Sequence, residues 1–86
     1  MQPAEVIQQL HGFVAEQFLG GDAAELTPET PLLEWGIIDS LGIAQLVAFI
    51  SERLGVNIPA AELTPGNLAS LRALADLVIR LAGTAP

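Results

Sequence analysis

The sequence contains no cysteine, no lysine and no tyrosine, and only one histidine and one tryptophan. Without cysteine the chain supplies no thiol of its own and needs no oxidising compartment to fold. A single imidazole, His11, excludes a multi-histidine metal site. Its only cations are Arg53, Arg72 and Arg80, against ten acidic residues, for a net charge of −7. Phosphate backbones require clustered cations, so nucleic acid is excluded as a partner. An acidic surface instead suits solubility and partners with basic docking patches. No apolar run reaches the length of a membrane span. The start, Met1-Gln2-Pro3-Ala4-Glu5, lacks the basic opening of a signal peptide. The expectation is a cytoplasmic monomer with no membrane partner.

Half of the residues are hydrophobic, 51% of 86, which supports one small domain (1–86) with a modest core. Val6, Ile7, Leu10, Phe13, Val14 and Phe18 recur at helical spacing and predict a first helix over residues 3–19, stopped by Gly20-Gly21. From Gly20 to Asp39 no period persists, and Pro28 and Pro31 interrupt the chain. A loop this long in a small domain tends to be functional. Its apolar Leu26, Leu32, Leu33 and Trp35 predict that it packs down, with Trp35 as an anchor.

A second helix is expected from Ser40 to about Leu54, ended by Gly55. Its inner stripe would be Ile43, Leu46, Val47, Ile50 and Leu54. The opposite face, Leu41, Ala44, Gln45, Ala48, Phe49 and Glu52, is more apolar than a solvated helix requires and reads as a docking surface. Val56-Asn57-Ile58-Pro59 reads as an extended link, and 60–63 as a single turn. Thr64-Pro65 reads as a cap with proline at the first position of a short helix over 65–69. Ser70 is expected to cap a last helix with Leu71, Leu74, Ala75, Val78, Ile79 and Leu81 inside, before a tail at 83–86. The class is therefore all-α: three main helices, one short one and a long loop, with no strand.

Asp39-Ser40-Leu41 stands where loop becomes helix. Asp and Ser are favoured caps, and capping alone would explain the pair. The helix dipole there also favours a phosphate on the hydroxyl. A catalytic serine would need a base, an orienting acid and oxyanion donors. Here Ser40 lacks the G-x-S-x-G elbow, and His11 belongs to the surface of the first helix. No glycine-rich phosphate loop and no calcium-loop spacing is present. No catalytic and no metal-binding residues are expected, and the chain reads as a non-enzyme.

Leu32-Leu33-Glu34-Trp35-Gly36-Ile37-Ile38-Asp39-Ser40-Leu41 resembles the attachment motif of acyl and peptidyl carrier proteins. The resemblance extends through Ile58-Pro59 and Leu63-Thr64-Pro65-Gly66-Asn67-Leu68, nearly the whole chain, and implies the carrier four-helix bundle. It implies 4′-phosphopantetheine on Ser40, donated from coenzyme A by a separate transferase, with an acyl or aminoacyl group held as a thioester on the arm's thiol. Asp39 would position the serine and the transferase's magnesium-bound coenzyme A. Leu41 would be an exposed contact, and Ile43 would lie near the base of the arm. Further partners implied are an adenylating enzyme that loads the group and a modifying or condensing enzyme that takes it.

Fatty-acid-type carriers line helix two with acids. Here Gly42, Ala44, Gln45, Ala48 and Phe49 share that face with a single acid, Glu52. It is more similar to carriers serving nonribosomal adenylating enzymes, with docking through Ile38, Leu41, Ala44, Gln45 and Ala48. The Leu-Leu-Glu-Trp-Gly-Ile stretch also resembles discrete carriers that hold a prolyl group for oxidation to pyrrole. The chain is expected to be a freestanding aminoacyl carrier of secondary metabolism. The alternatives are a fatty-acid or polyketide acyl carrier, and an unmodified helical adaptor using the same face.

Overall fold

Proline at the first helical position fixes the φ a helix needs, and the chain enters helix α1 there. The computed structural model describes residues 2–84. Helix α1 spans Pro3–Phe18 and buries Val6, Leu10, Val14 and Ala15 on one stripe. It ends where the sequence predicts: Gly20 and Gly21 take left-handed φ values of +61° and +88°. The Gly21 amide then returns to the Ala15 carbonyl at 2.8 Å.

Helix α2 spans Ser40–Phe49 and continues as one π-helical turn, Ile50–Leu54. Gly55, at φ +69°, closes it with its amide on the Ile50 carbonyl. Val56 and Ile58 of the extended link are buried and hold this end against the core. A 3-10 turn follows at Ala60–Glu62. Helix α3 spans Leu71–Thr84. Ser70 caps it as expected, its Oγ accepting from the Ala73 amide at 3.1 Å. Its inner face carries Leu71, Leu74, Ala75 and Val78, and also Leu77, which the expected set omitted. No strand occurs among the described residues.

Two boundaries differ from expectation. The short helix over 65–69 is only a hydrogen-bonded turn, with Leu68 N–H on the Thr64 carbonyl at 3.0 Å. Thr64 does cap this turn, its Oγ1 accepting from the Asn67 amide at 3.2 Å, but the Asn67 side chain turns back, its Nδ2 donating to the Glu62 carbonyl at 2.8 Å. Local side-chain bonds of this kind compete with helix propagation. At the other end, Gly83 and Thr84 belong to α3 rather than to a tail, because the apolar stripe carries the helix past Leu81. Residues 85–86 of the expected tail lie outside the described residues.

The long loop is tied down at both sides. His11 Nε2 donates to the Leu26 carbonyl at 2.9 Å, which fixes the proton on Nε2 and gives His11 a structural task. Thr30, the one buried polar residue described, donates to the Glu25 carbonyl and accepts from the Thr27 amide. On the far side the Leu32 amide bonds to the Ala69 carbonyl, and the Arg72 amide to the Pro28 carbonyl, both at 2.9 Å. Arg72 also pairs with Glu29. With its backbone accounted for in this way, the loop sends Leu26 and Leu32 into the core.

Glu62 receives both guanidinium nitrogens of Arg80, at 3.0 and 3.3 Å. That hydrogen bonding holds its carboxyl below the usual carboxylate range, against a smaller opposing desolvation, and Asn67 adds to it. A depressed carboxyl stabilises the fold above its unfolded-state pKa and loses that contribution as pH falls through the folded value. Arg80→Ala should therefore move the Glu62 titration, followed by carboxyl NMR, upward toward the ordinary range. An unmoved titration would show that the pair does not form in solution.

Candidate functional site

Asp39 adopts an extended conformation and its Oδ1 accepts from the Gly42 amide at 2.8 Å, so Asp39 is the cap of α2. Such a cap stabilises a helix start by about 1 kcal/mol. Ser40 is thereby the first helical residue and is relieved of capping. The carbonyl of Asp39 takes the Ile43 amide at 2.8 Å, while the amides of Ser40 and Leu41 bond to no described residue. Two open N–H groups thus sit at the positive end of the α2 dipole beside the Ser40 hydroxyl.

The chain has three serines. Ser51 Oγ donates to Asn57 Oδ1 at 2.9 Å, and Ser70 Oγ is occupied as the α3 cap. Ser40 is exposed, and its hydroxyl makes no hydrogen bond within the described residues. No group of three or more metal-ligating side chains occurs among those residues. What the position offers is a free hydroxyl, open amides and a helix dipole, which fit a covalently attached phosphodiester.

Next to Ser40, Leu41 is 68% exposed, and Ala44, Gln45, Ala48 and Glu52 continue the open face along α2. Two residues assigned to this face turn inward. Gly42 is buried because the Phe18 ring lies against it: a Cβ there would stand 3.1 Å from Phe18 Cε1. Phe49 is half-buried and stacks on Phe13, with ring centroids 4.3 Å apart, and Phe13 meets Phe18 edge-on at 6.0 Å. This aromatic row joins α1 to α2 and favours ring burial over exposure. Of the expected inner stripe, Leu46 and Ile50 are fully buried, while Ile43, Val47 and Leu54 are half-buried.

Two loop residues also depart from expectation. Ile38, expected as a docking contact, is only 3% exposed and belongs to the core. Its burial follows from the turn that precedes it, in which the Ile37 and Ile38 amides both point at the Leu32 carbonyl. Trp35, expected as an anchor, is 58% exposed, and Leu26 and Leu32 are the loop side chains that enter the core instead.

The family profile described as phosphopantetheine attachment site matches residues 13–78, three quarters of the chain, from within α1 to within α3. The chain belongs to this family of carrier proteins. It therefore carries covalently attached phosphopantetheine, which sets aside the unmodified adaptor. The chain is 38% identical over 73 residues to the probable acyl carrier protein PigG of Serratia sp. (strain ATCC 39006), covering 85% of this chain and 84% of that protein. Among solved structures, it is similar to a chain in the crystal structure of an FAD-dependent dehydrogenase. The TM-score is 0.76 and the identity 40%, covering 80% of this chain and 97% of that one. It is also similar to a chain in the crystal structure of the Bradyrhizobium japonicum glycine:[carrier protein] ligase complexed with glycylated carrier protein. There the TM-score is 0.64 and the identity 25%, covering 88% and 97% of the two chains. The fold of this carrier is thus the carrier bundle that the sequence implied.

Proposed function

We propose that Ser40 is the attachment residue and that the carrier is of the aminoacyl type, loaded by an adenylating enzyme. The observation that carries the first part is the unoccupied Ser40 hydroxyl at the start of α2, where Ser51 and Ser70 are both engaged. The arm supplies the thiol that this cysteine-free chain lacks, and holds the cargo as a thioester. The protein's own residues present it: Asp39 fixes the turn through Gly42, and the open amides of Ser40 and Leu41 offset the phosphodiester charge. The carrier itself performs no chemistry on the cargo; its enzymes come to it.

Support for an aminoacyl cargo is the scarcity of acids on the exposed α2 face, where Glu52 stands alone, so that docking rests on Leu41, Ala44, Gln45 and Ala48. The likeness to a glycylated carrier held by its ligase supports the same loading route. The likeness to a chain of an FAD-dependent dehydrogenase structure supports an oxidising enzyme as the next visitor. Proline, oxidised toward pyrrole while tethered, is the cargo consistent with both and with the Trp35 motif, in a pathway of secondary metabolism.

The name of the PigG relative favours an acyl carrier as the second reading. A panel of amino and acyl adenylates, offered to the phosphopantetheinylated protein with its adenylating enzyme, separates the two. The expected result is loading of an amino acid, prolyl foremost, with a rate that changes little between low and high salt. Loading from malonyl donors alone, or docking that collapses with salt, would overturn the aminoacyl assignment.

A further inference from the structure

The loop between α1 and α2 holds half of the chain's acids, Asp22, Glu25, Glu29, Glu34 and Asp39, and no cation. Glu29 is answered by Arg72, and Asp39 is spent on the α2 cap. Asp22 lends one oxygen to the Ala24 amide at 3.1 Å, and the carboxylates of Glu25 and Glu34 have no ion-pair partner among the described residues. Exposed negative charge is thus gathered on the loop rather than on α2.

A cavity of about 360 Å³ opens in the same loop. Leu19, Leu26 and Ile37 line it together with the exposed Trp35 and the acidic Asp22 and Glu25. The indole N–H makes no hydrogen bond within the described residues. An uncharged apolar occupant would strip water from the two carboxylates and give nothing back. An anion would be repelled. A guanidinium meets all three surfaces: its plane lies on the indole, its N–H groups reach carboxylate oxygens, and its aliphatic stem covers the leucines. The chain places none of its own arginines there: Arg72 and Arg80 are paired with Glu29 and Glu62, and Arg53 lines other grooves, beside Gln8 and Gln9.

We propose that this pocket is a docking site for an arginine side chain presented by a partner protein, separate from the α2 face. The proposal holds whatever group Ser40 carries. One pocketed charge gives a shallow salt dependence, unlike a row of exposed acids.

Trp35 is the only tryptophan, so its fluorescence reports the pocket directly. The full chain is titrated at fixed ionic strength with acetyl-Leu-Arg-Leu-amide and with the same peptide carrying uncharged citrulline. The expected result is a saturable change with the arginine peptide, and binding of the citrulline peptide weaker by about tenfold. Asp22→Asn combined with Glu25→Gln, which keeps an acceptor for the Ala24 amide, should remove most of that preference. Equal binding of the two peptides, no saturation in the millimolar range, or amide NMR shifts centred on α2 instead of the loop would overturn the proposal.

Discussion

Ser40→Ala is expected to abolish thioester loading completely while leaving the fold intact. The two halves of this outcome have separate causes. Loading is lost because Ser51 and Ser70 direct their hydroxyls to Asn57 and to the α3 start, leaving no second free serine. The fold is kept because the Ser40 hydroxyl bonds to nothing in the protein and alanine is the better helix former at an exposed position. The cap belongs to Asp39, which is untouched. Incubation with transferase, coenzyme A, adenylating enzyme and amino acid, read as acid-stable protein-bound label, should give none above background for the variant. A thermal melt should be unchanged or slightly raised. Loading that persists in Ser40→Ala would place the arm elsewhere; a collapsed melt would mean that Ser40 is structural.

The second large effect is on stability. Leu46→Ala is expected to cost about 2–5 kcal/mol, a large share of what a domain of this size has. Within α2 proper only Gly42 and Leu46 are buried, with Ile50 beginning the π turn, whereas α3 buries five side chains. Leu46 and Ile50 together contribute on the order of 3–6 kcal/mol of apolar burial, an upper value. Removing Leu46 should therefore loosen α2 first. Urea denaturation should show the loss, and hydrogen exchange should rise in α2 before α1 and α3. Leu74→Ala, in the buried face of α3, should cost a similar amount but raise exchange throughout. A loss under about 1 kcal/mol for Leu46→Ala would contradict the packing described here.

The three main helices, their starts and the place of Ser40 at the head of α2 are legible because each rests on local signals. Apolar spacing placed α1 and α3, the glycine pair ended α1, and Ser70 capped α3. What the sequence could not give was the outcome of competition between neighbours. Phe49 lies at a position the α2 wheel assigns to solvent, yet Phe13 on α1 offers a ring to stack on. Trp35 was expected to anchor the loop, but Leu26 and Leu32 enter the core instead and the indole lies outside. Ile38 and Ile37 are equally apolar, and only the turn around Leu32 decides that Ile38 goes in. The division of Asp39 and Ser40 into cap and free hydroxyl is likewise decided by the bond from the Gly42 amide to Asp39 Oδ1. That division is what frees the serine.

The most direct measurement is fragmentation mass spectrometry of the wild-type protein after incubation with a promiscuous transferase and coenzyme A. The account predicts one added phosphopantetheine per chain, on the peptide containing Asp39-Ser40-Leu41 and on Ser40 within it. A modification found on Ser51 or Ser70, or an unchanged intact mass, would contradict it.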